Sequence, residues 1–236
     1  MSLRVAATLF DRFDRMFHPE YPIEEQEFID SVTRQSRVER TSAQTMGVAF
    51  HSAIERLHSD DARWVSDGLV TGAVPPENDG DPWSTELFDR EALQAVLDTV
   101  EGHDRALAEV KVCFRTLSLD VIAVADLLAP GWYAVDWKTS TKAKNLVADY
   151  WMPSWQWRIS CVALKVPKFT YVGVQVKKDN RTGIITATEV NSYTCEAYSG
   201  LEDEVLDKAN QIADWLTERG IQTPDIAQIY RYGRPE

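Results

Sequence analysis

The residues best equipped for chemistry lie between Val124 and Thr139, in the run Val-Ala-Asp-Leu-Leu-Ala-Pro-Gly-Trp-Tyr-Ala-Val-Asp-Trp-Lys-Thr. Two β-like runs flank the turn-forming triplet Ala-Pro-Gly. The first carries Asp126; the second carries Asp136 and Lys138. On a strand Asp136 and Lys138 point to one face and Trp137 to the other. A paired hairpin sets Asp126 across from them, so two carboxylates and an ammonium converge at one end of a sheet. That grouping suits phosphodiester cleavage, which needs an activated water, neutralisation of transition-state charge, and help for the leaving oxygen. Carboxylates hold a hard cation such as Mg²⁺; the cation acidifies water and screens phosphate; a lysine orients that water and stabilises developing charge. The bland alternative is a purely structural buried ion pair. Either way, Val/Ile/Ala/Leu-rich flanks make an uncompensated carboxylate costly, so a cation or Lys138 must balance Asp126 and Asp136.

Upstream, Gly47-Val-Ala-Phe-His51-Ser-Ala-Ile-Glu55 lies in a stretch predicted helical over 42–58. Met46, Phe50, Ala53, Ile54 and Leu57 share one arc. His51 and Glu55, four apart, stack on another face with His58 beside them. Alone, that face could simply meet water. Glu109 sits in a strand-like run, where an exposed strand residue is an equal reading. Gln156 follows in a predicted helix with Trp151, Trp155, Trp157 and Arg158; most indoles are core, though one could stack on a base.

Gly47/His51/Glu55, Glu109, Asp126, Asp136-Trp137-Lys138-Thr139 and Gln156, in that order over residues 47 to 160, resemble the PD-(D/E)xK nuclease superfamily and its RecB-like exonuclease branch, of phage and recombination type. Asp-x-Lys alone is a weak signal; five motifs in order are a stronger one. The resemblance implies a restriction-endonuclease-like core, a central mixed β-sheet flanked by helices, acting on DNA. It implies that His51, Asp126, Asp136 and the Trp137 carbonyl hold Mg²⁺ or Mn²⁺. Catalysis falls to Lys138 with Asp136, Asp126 and Glu109, and Glu109 supports a second metal or its water. Gly47, Glu55 and Thr139 are supporting residues, with Gly47 allowing a close approach. Gln156, Lys142 and Arg158 are expected to meet DNA phosphates. The family pattern Gln-x-x-x-Tyr departs here to Gln156-x-x-x-Ser160, which removes the aromatic contact. Some RecB-like nucleases carry an iron–sulfur cluster on four cysteines; Cys113, Cys161 and Cys195 are too few, so no cluster is expected. A recombination partner protein and homo-oligomers are compatible with the resemblance.

The elements that must position these groups read as an α/β chain. The 236 residues, 44% hydrophobic, allow one nuclease domain: a helical part over 1–105, a catalytic sheet with an inserted helix over 106–190, and a helix and tail over 191–236. Helices are expected over 3–17 and 23–40, with Arg34, Arg37 and Arg40 on one side of the second. A loop is expected over 66–84, then a helix from Ser84 or Thr85 to Gly102. Strands follow over 106–114, 117–126, 131–138, 168–176 and 184–190. A helix over 143–164 kinks at Pro153 and opens near Lys142 and Lys144. The last, over 199–218, starts at a Ser199–Glu202 capping box. No apolar run reaches the roughly 18 residues of a membrane span, and the N-terminus lacks a secretory pattern. With unpaired cysteines this predicts a cytoplasmic protein without membrane contact.

The net charge of −12 argues against nucleic acid until its distribution is read. Lys138 to Arg181 holds nine Lys/Arg and two acids, a segment of +7 that leaves −19 elsewhere. A basic lane on an acidic body fits local contact with phosphate; uneven surface charge is the plain alternative. Two other functions compete: a non-catalytic nucleic-acid-binding or inhibitor protein that keeps the fold, and an adaptor using its acidic surface.

Overall fold

A computed structural model describes residues 3–33, 41–76, 82–131, 133–142, 146 and 148–222. In chain order the strands are β1 (Leu3–Ala6), β2 (Leu69–Val74), β3 (Ser84–Asp89), β4 (Leu107–Arg115), β5 (Leu119–Ala129), β6 (Tyr133–Ser140), β7 (Lys168–Lys178) and β8 (Ile184–Glu196). The helices are α1 (Thr8–Met16), α2 (Glu25–Thr33), α3 (Ser42–His58), α4 (Arg90–Leu97), α5 (Ala148–Trp151), α6 (Trp155–Leu164) and α7 (Leu201–Glu218). The strands form one mixed sheet in the order β1-β5-β6-β7-β8-β3-β2, with β4 on the outer side of β5. The expected mixed sheet flanked by helices is what the chain adopts.

Two apolar layers cover the sheet. Phe10, Phe13, Phe28, Trp155, Ile159, Val205 and Ile212 from α1, α2, α6 and α7 pack on one face. Phe50, Ile54, Leu57, Leu93 and Val96 from α3 and α4 pack on the other. The stripe expected for the 42–58 helix is the stripe α3 buries. Thr41 caps it: the hydroxyl accepts from Gln44 N, and the Gln44 side chain accepts from Thr41 N.

The N-terminal part departs from a helical reading. Leu3–Ala6 is a strand parallel to β5, and the stretch expected to be loop supplies β2 and the start of β3. Gly72 and the neighbouring Pro and Gly residues carry the loop signal, but Gly72 serves packing. A Cβ there would sit 2.1 Å from the Ala49 carbonyl oxygen, so α3 rests directly on the β2 backbone. Ser84 begins a strand, and Asp89, whose carboxylate accepts from Ala92 N, starts α4. At the far end Gly200, with φ +88, precedes α7 with no side-chain cap, so the Ser199–Glu202 box does not form. Residues 152–154 break the 143–164 stretch into α5 and α6, where a kink at Pro153 was expected. Arg34, Arg37, Arg40, Lys144 and the tail beyond residue 222 lie outside the described residues.

Candidate active site

The β5–β6 hairpin pairs Ala129 with Tyr133, Leu128 with Ala134 and Leu127 with Val135, and there its backbone ladder ends. The next facing positions are Asp126 and Asp136. Instead of a ladder bond, the Trp137 N–H donates to Asp126 Oδ2 at 2.7 Å. On the other side of β5, the residue facing Asp126 is Glu109, held at φ +47 and skipped by the β4–β5 pairing. A left-handed conformation at a glutamate is strained and marks sites more often than frameworks. Around the same point β5 changes which layer its odd residues serve: Ala125 joins the α6 layer, Leu127 the α3 layer.

Helices deliver the remaining groups from both faces. From α3, His51 Nδ1 lies 3.0 Å from Asp126 Oδ1. From α6, Gln156 Nε2 donates to Asp136 Oδ1 at 2.6 Å while its Oε1 accepts from Lys138 Nζ at 3.0 Å. Lys138 Nζ is also 2.6 Å from Asp136 Oδ2. Gly47 faces Thr139, where a Cβ would stand a tight 3.3 Å from Oγ1. His51, Glu55, His58, Glu109 and Asp126 line a cleft of about 50 Å³ with Trp137 and apolar neighbours. His58 Nε2 is tied to the His103 carbonyl at 2.7 Å.

The structure therefore brings together His51, Glu109, Asp126, Asp136, Trp137, Lys138 and Gln156, with Gly47, Glu55 and Thr139 at their margins. Lys142 lies just beyond β6, exposed, its N–H donating to Ser140 Oγ. Arg158 is not brought to the cluster. Its Nη1 donates to the Pro153 and Ser154 carbonyls, its Nε lies 3.5 Å from Glu204, and its plane covers Trp155 and Trp157. That guanidinium braces α6 against α7, which corrects its expected place against phosphate.

Electrostatics bind these groups into one unit. Burial works against charge on Asp136 and raises its carboxyl pKa, Lys138 pulling the other way and Asp126 adding to the rise. Burial would discharge Lys138, yet Asp136 holds it above its ordinary value. Burial likewise opposes charge on His51, and Asp126 overrides it upward. Asp126 alone moves down: burial would lift it, but the His51 charge and hydrogen bond, with the Trp137 N–H, prevail. Three of the four groups shift toward holding a proton, Asp136 through burial and His51 and Lys138 through the aspartates beside them.

Two carboxylates and an imidazole match the donor chemistry of a hard divalent cation. Among the described residues no three His, Cys, Asp or Glu side chains stand in metal-binding geometry. Both oxygens of Asp126 and Oδ1 of Asp136 are instead taken up by His51, the Trp137 N–H and Gln156, while Asp136 Oδ2, which makes no hydrogen bond, lies 2.6 Å from Lys138 Nζ as an ion pair.

Two contributors escape a reading of the sequence. Asp11 of α1 accepts from Trp155 N at 2.6 Å and from Ser154 Oγ at 2.7 Å, fixing the start of α6 and hence Gln156. Tyr171 pairs with Asp136 across the parallel β6–β7 register, and its ring lies 5.6 Å from Lys138 Nζ. Neither has a local signal, since one acts from 143 residues away and the other through a crossover register.

No curated protein matches the chain. Among solved structures, SSO0001 is similar at 19% identity over 50% of this chain, with a TM-score of 0.35, and this chain spans 52% of its length. A candidate exonuclease from Eubacterium rectale is similar at 12% identity over 98% of this chain and 88% of its own, with a TM-score of 0.51; that likeness concerns fold alone. The family model described as PD-(D/E)XK nuclease superfamily matches residues 23–222.

Proposed function

The chain belongs to the PD-(D/E)XK nuclease superfamily, and on that premise we propose that it is a divalent-metal-dependent DNA nuclease of the RecB-like branch, an exonuclease for recombination, repair or phage DNA processing. The observation that carries this reading is the cluster where the β5–β6 ladder stops: Asp126 and Asp136 facing each other, His51 on one and Lys138 with Gln156 on the other. His51, Asp126, Asp136 and the Trp137 carbonyl would hold Mg²⁺ or Mn²⁺, with Glu109 supporting a second ion or its water. When bound, the cation acidifies water and screens the scissile phosphate.

The chain's own groups have separable tasks. Asp136 keeps Lys138 protonated, so Lys138 acts as a donor that orients the attacking water and stabilises charge on the phosphate oxygen. Gln156, bonded to both, fixes their mutual position. The Trp137 N–H locks Asp126 in one orientation, as a rigid acceptor requires. The exonuclease reading rests on the ordered motif set, and the Eubacterium rectale structure of similar fold is described as a candidate exonuclease. Lys142, exposed two residues beyond the end of β6, is the cation assigned here to a DNA phosphate.

The test is degradation of linear and circular, single- and double-stranded DNA with Mg²⁺, with Mn²⁺ and with EDTA. Metal-dependent loss of linear DNA with circular DNA intact is expected. Equal attack on circles replaces exonuclease by endonuclease, and no cleavage under any metal leaves a nucleic-acid-binding protein that keeps the fold.

A further inference from the structure

The β7–β8 hairpin runs past the site. Its register sets Lys138 beside Gly173 and Ser140 beside Gln175, after which β7 continues to Lys178 with no β6 partner. Phe169 and Tyr171 belong to the α6 layer, Val172, Val174 and Val176 to the α3 layer. Strand alternation therefore puts Gln175 and Lys177 on the face that carries Asp136 and Lys138. Lys177 lies four residues beyond the level of Lys138, roughly 13 Å at strand rise, or about four nucleotides of a duplex strand.

The tip from Lys177 to Arg181 is exposed and carries three cations and one carboxylate. Asp179, itself exposed, is engaged within the turn, its Oδ1 accepting from Arg181 N, Thr182 N and Thr182 Oγ1, and Gly183 N closes the turn on the Asp179 carbonyl. Lys178, on the opposite face, anchors the hairpin to β3 through Glu86 at 2.6 Å. Lys177 and Arg181 are exposed and make no ion pair among the described residues. On the same face of β8, Glu189 is engaged by Asn191. Gln175 Nε2 donates to the Thr141 carbonyl, joining the hairpin to the segment that carries Lys142.

We propose that the outer part of the β7–β8 hairpin, through Lys177 and Arg181, is a DNA-backbone rail that holds the strand about four nucleotides from the bond being cut. The inference rests on the nuclease reading for the identity of the cluster, but its test is separate. A cation that neutralises a phosphate lowers the slope of log affinity against log salt by about 0.9 for duplex and about 0.7 for single strands.

The experiment compares wild type, Lys177→Gln/Arg181→Gln and the control Lys165→Gln/Lys168→Gln, which removes equal charge at the end of α6 and the start of β7. Affinity for end-labelled duplex is measured by fluorescence anisotropy in EDTA from 50 to 200 mM salt, and single-turnover cleavage at saturating enzyme is measured with Mg²⁺ or Mn²⁺. Circular dichroism confirms that all three fold. The rail is supported if the hairpin variant loses about 1.8 from the duplex slope, the control keeps it, and the saturating rate stays within about twofold. Equal slopes for hairpin variant and control overturn the rail while cleavage by wild type leaves the nuclease reading standing. Wild type that binds yet never cleaves sinks the nuclease reading, and the slope still decides the rail. Wild type that does not bind DNA sinks both.

Discussion

The two antiparallel hairpins at the centre of the sheet are built on opposite principles. The β7–β8 hairpin keeps its ladder from Lys168↔Glu196 out to Lys178↔Ile185, interrupted by a single irregularity after Gln175. Its side-chain contacts, such as Thr170 with Thr194 at 2.9 Å, decorate a backbone already paired. The β5–β6 hairpin gives up its ladder after three pairs, and side chains replace it. Asp126 takes a backbone N–H, Asp136 takes an amide and an ammonium, and helices on both faces supply the partners. The titratable cluster sits where the sheet stops satisfying itself. The regular hairpin offers rigidity and reach; the interrupted one offers convergent, strongly coupled charge.

The contrast can be broken most forcefully at Lys138. Lys138→Ala should lower cleavage by about 10² to 10³, the usual loss for one transition-state donor, while DNA binding and far-ultraviolet circular dichroism persist. Undiminished cleavage of end-labelled linear duplex would remove Lys138 from its role. Next comes Asp126→Ala, which strands the Trp137 N–H and the His51 imidazole. Denaturant unfolding should show a loss of about 1–3 kcal/mol. A loss as small as that of a surface change would mean that Asp126 is not standing in for the ladder.

The His51–Asp126 pair sharpens the comparison through pH. His51 is raised above 6.5, so its contribution to stability is full below pH 6.5 and fades as pH rises through the raised value. Asp126 is lowered below 3.8, so its contribution is full above pH 3.8 and fades as pH falls through the lowered value. Metal-free wild type should therefore exceed His51→Ala in stability by the most between those values, with the gap closing above pH 6.5. A gap that widens as pH rises above 6.5 contradicts the pairing. The smallest effect belongs to the regular hairpin: Thr194→Ala should cost about 0.2–1 kcal/mol, and a larger loss there would show that its side chains also carry the pairing.

Cysteine chemistry adds a check on the core. Burial pushes Cys161 to about 12 and Cys195 to about 11, while Cys113 is exposed. Native protein should take up one equivalent of a thiol reagent quickly and the other two only on unfolding. Rapid labelling of all three would place Cys161 and Cys195 outside the core.

The parts legible in the sequence share a cause. His51 and Glu55 sit on one helix, and Asp126, Asp136 and Lys138 on one hairpin, so short-range periodicity places them. Gln156 follows from motif order. What stayed hidden depends on distant partners. Gly72 reads as loop because its reason, the Ala49 carbonyl, lies on another element. Arg158 reads as a phosphate ligand because the indoles and Glu204 that hold it are gathered only by folding. Glu109 lies in an ordinary strand-like run, and only the folded chain gives it φ +47 facing Asp126.

Whether the interrupted hairpin holds a cation is decided most directly by calorimetric titration of Mn²⁺ into metal-free protein, wild type beside Asp136→Asn. Saturable heat in wild type that vanishes in the variant, with folding intact, is the expected result. Wild type with no saturable heat, or a variant that binds Mn²⁺ as wild type does, contradicts the assignment of this cluster as the metal-binding centre.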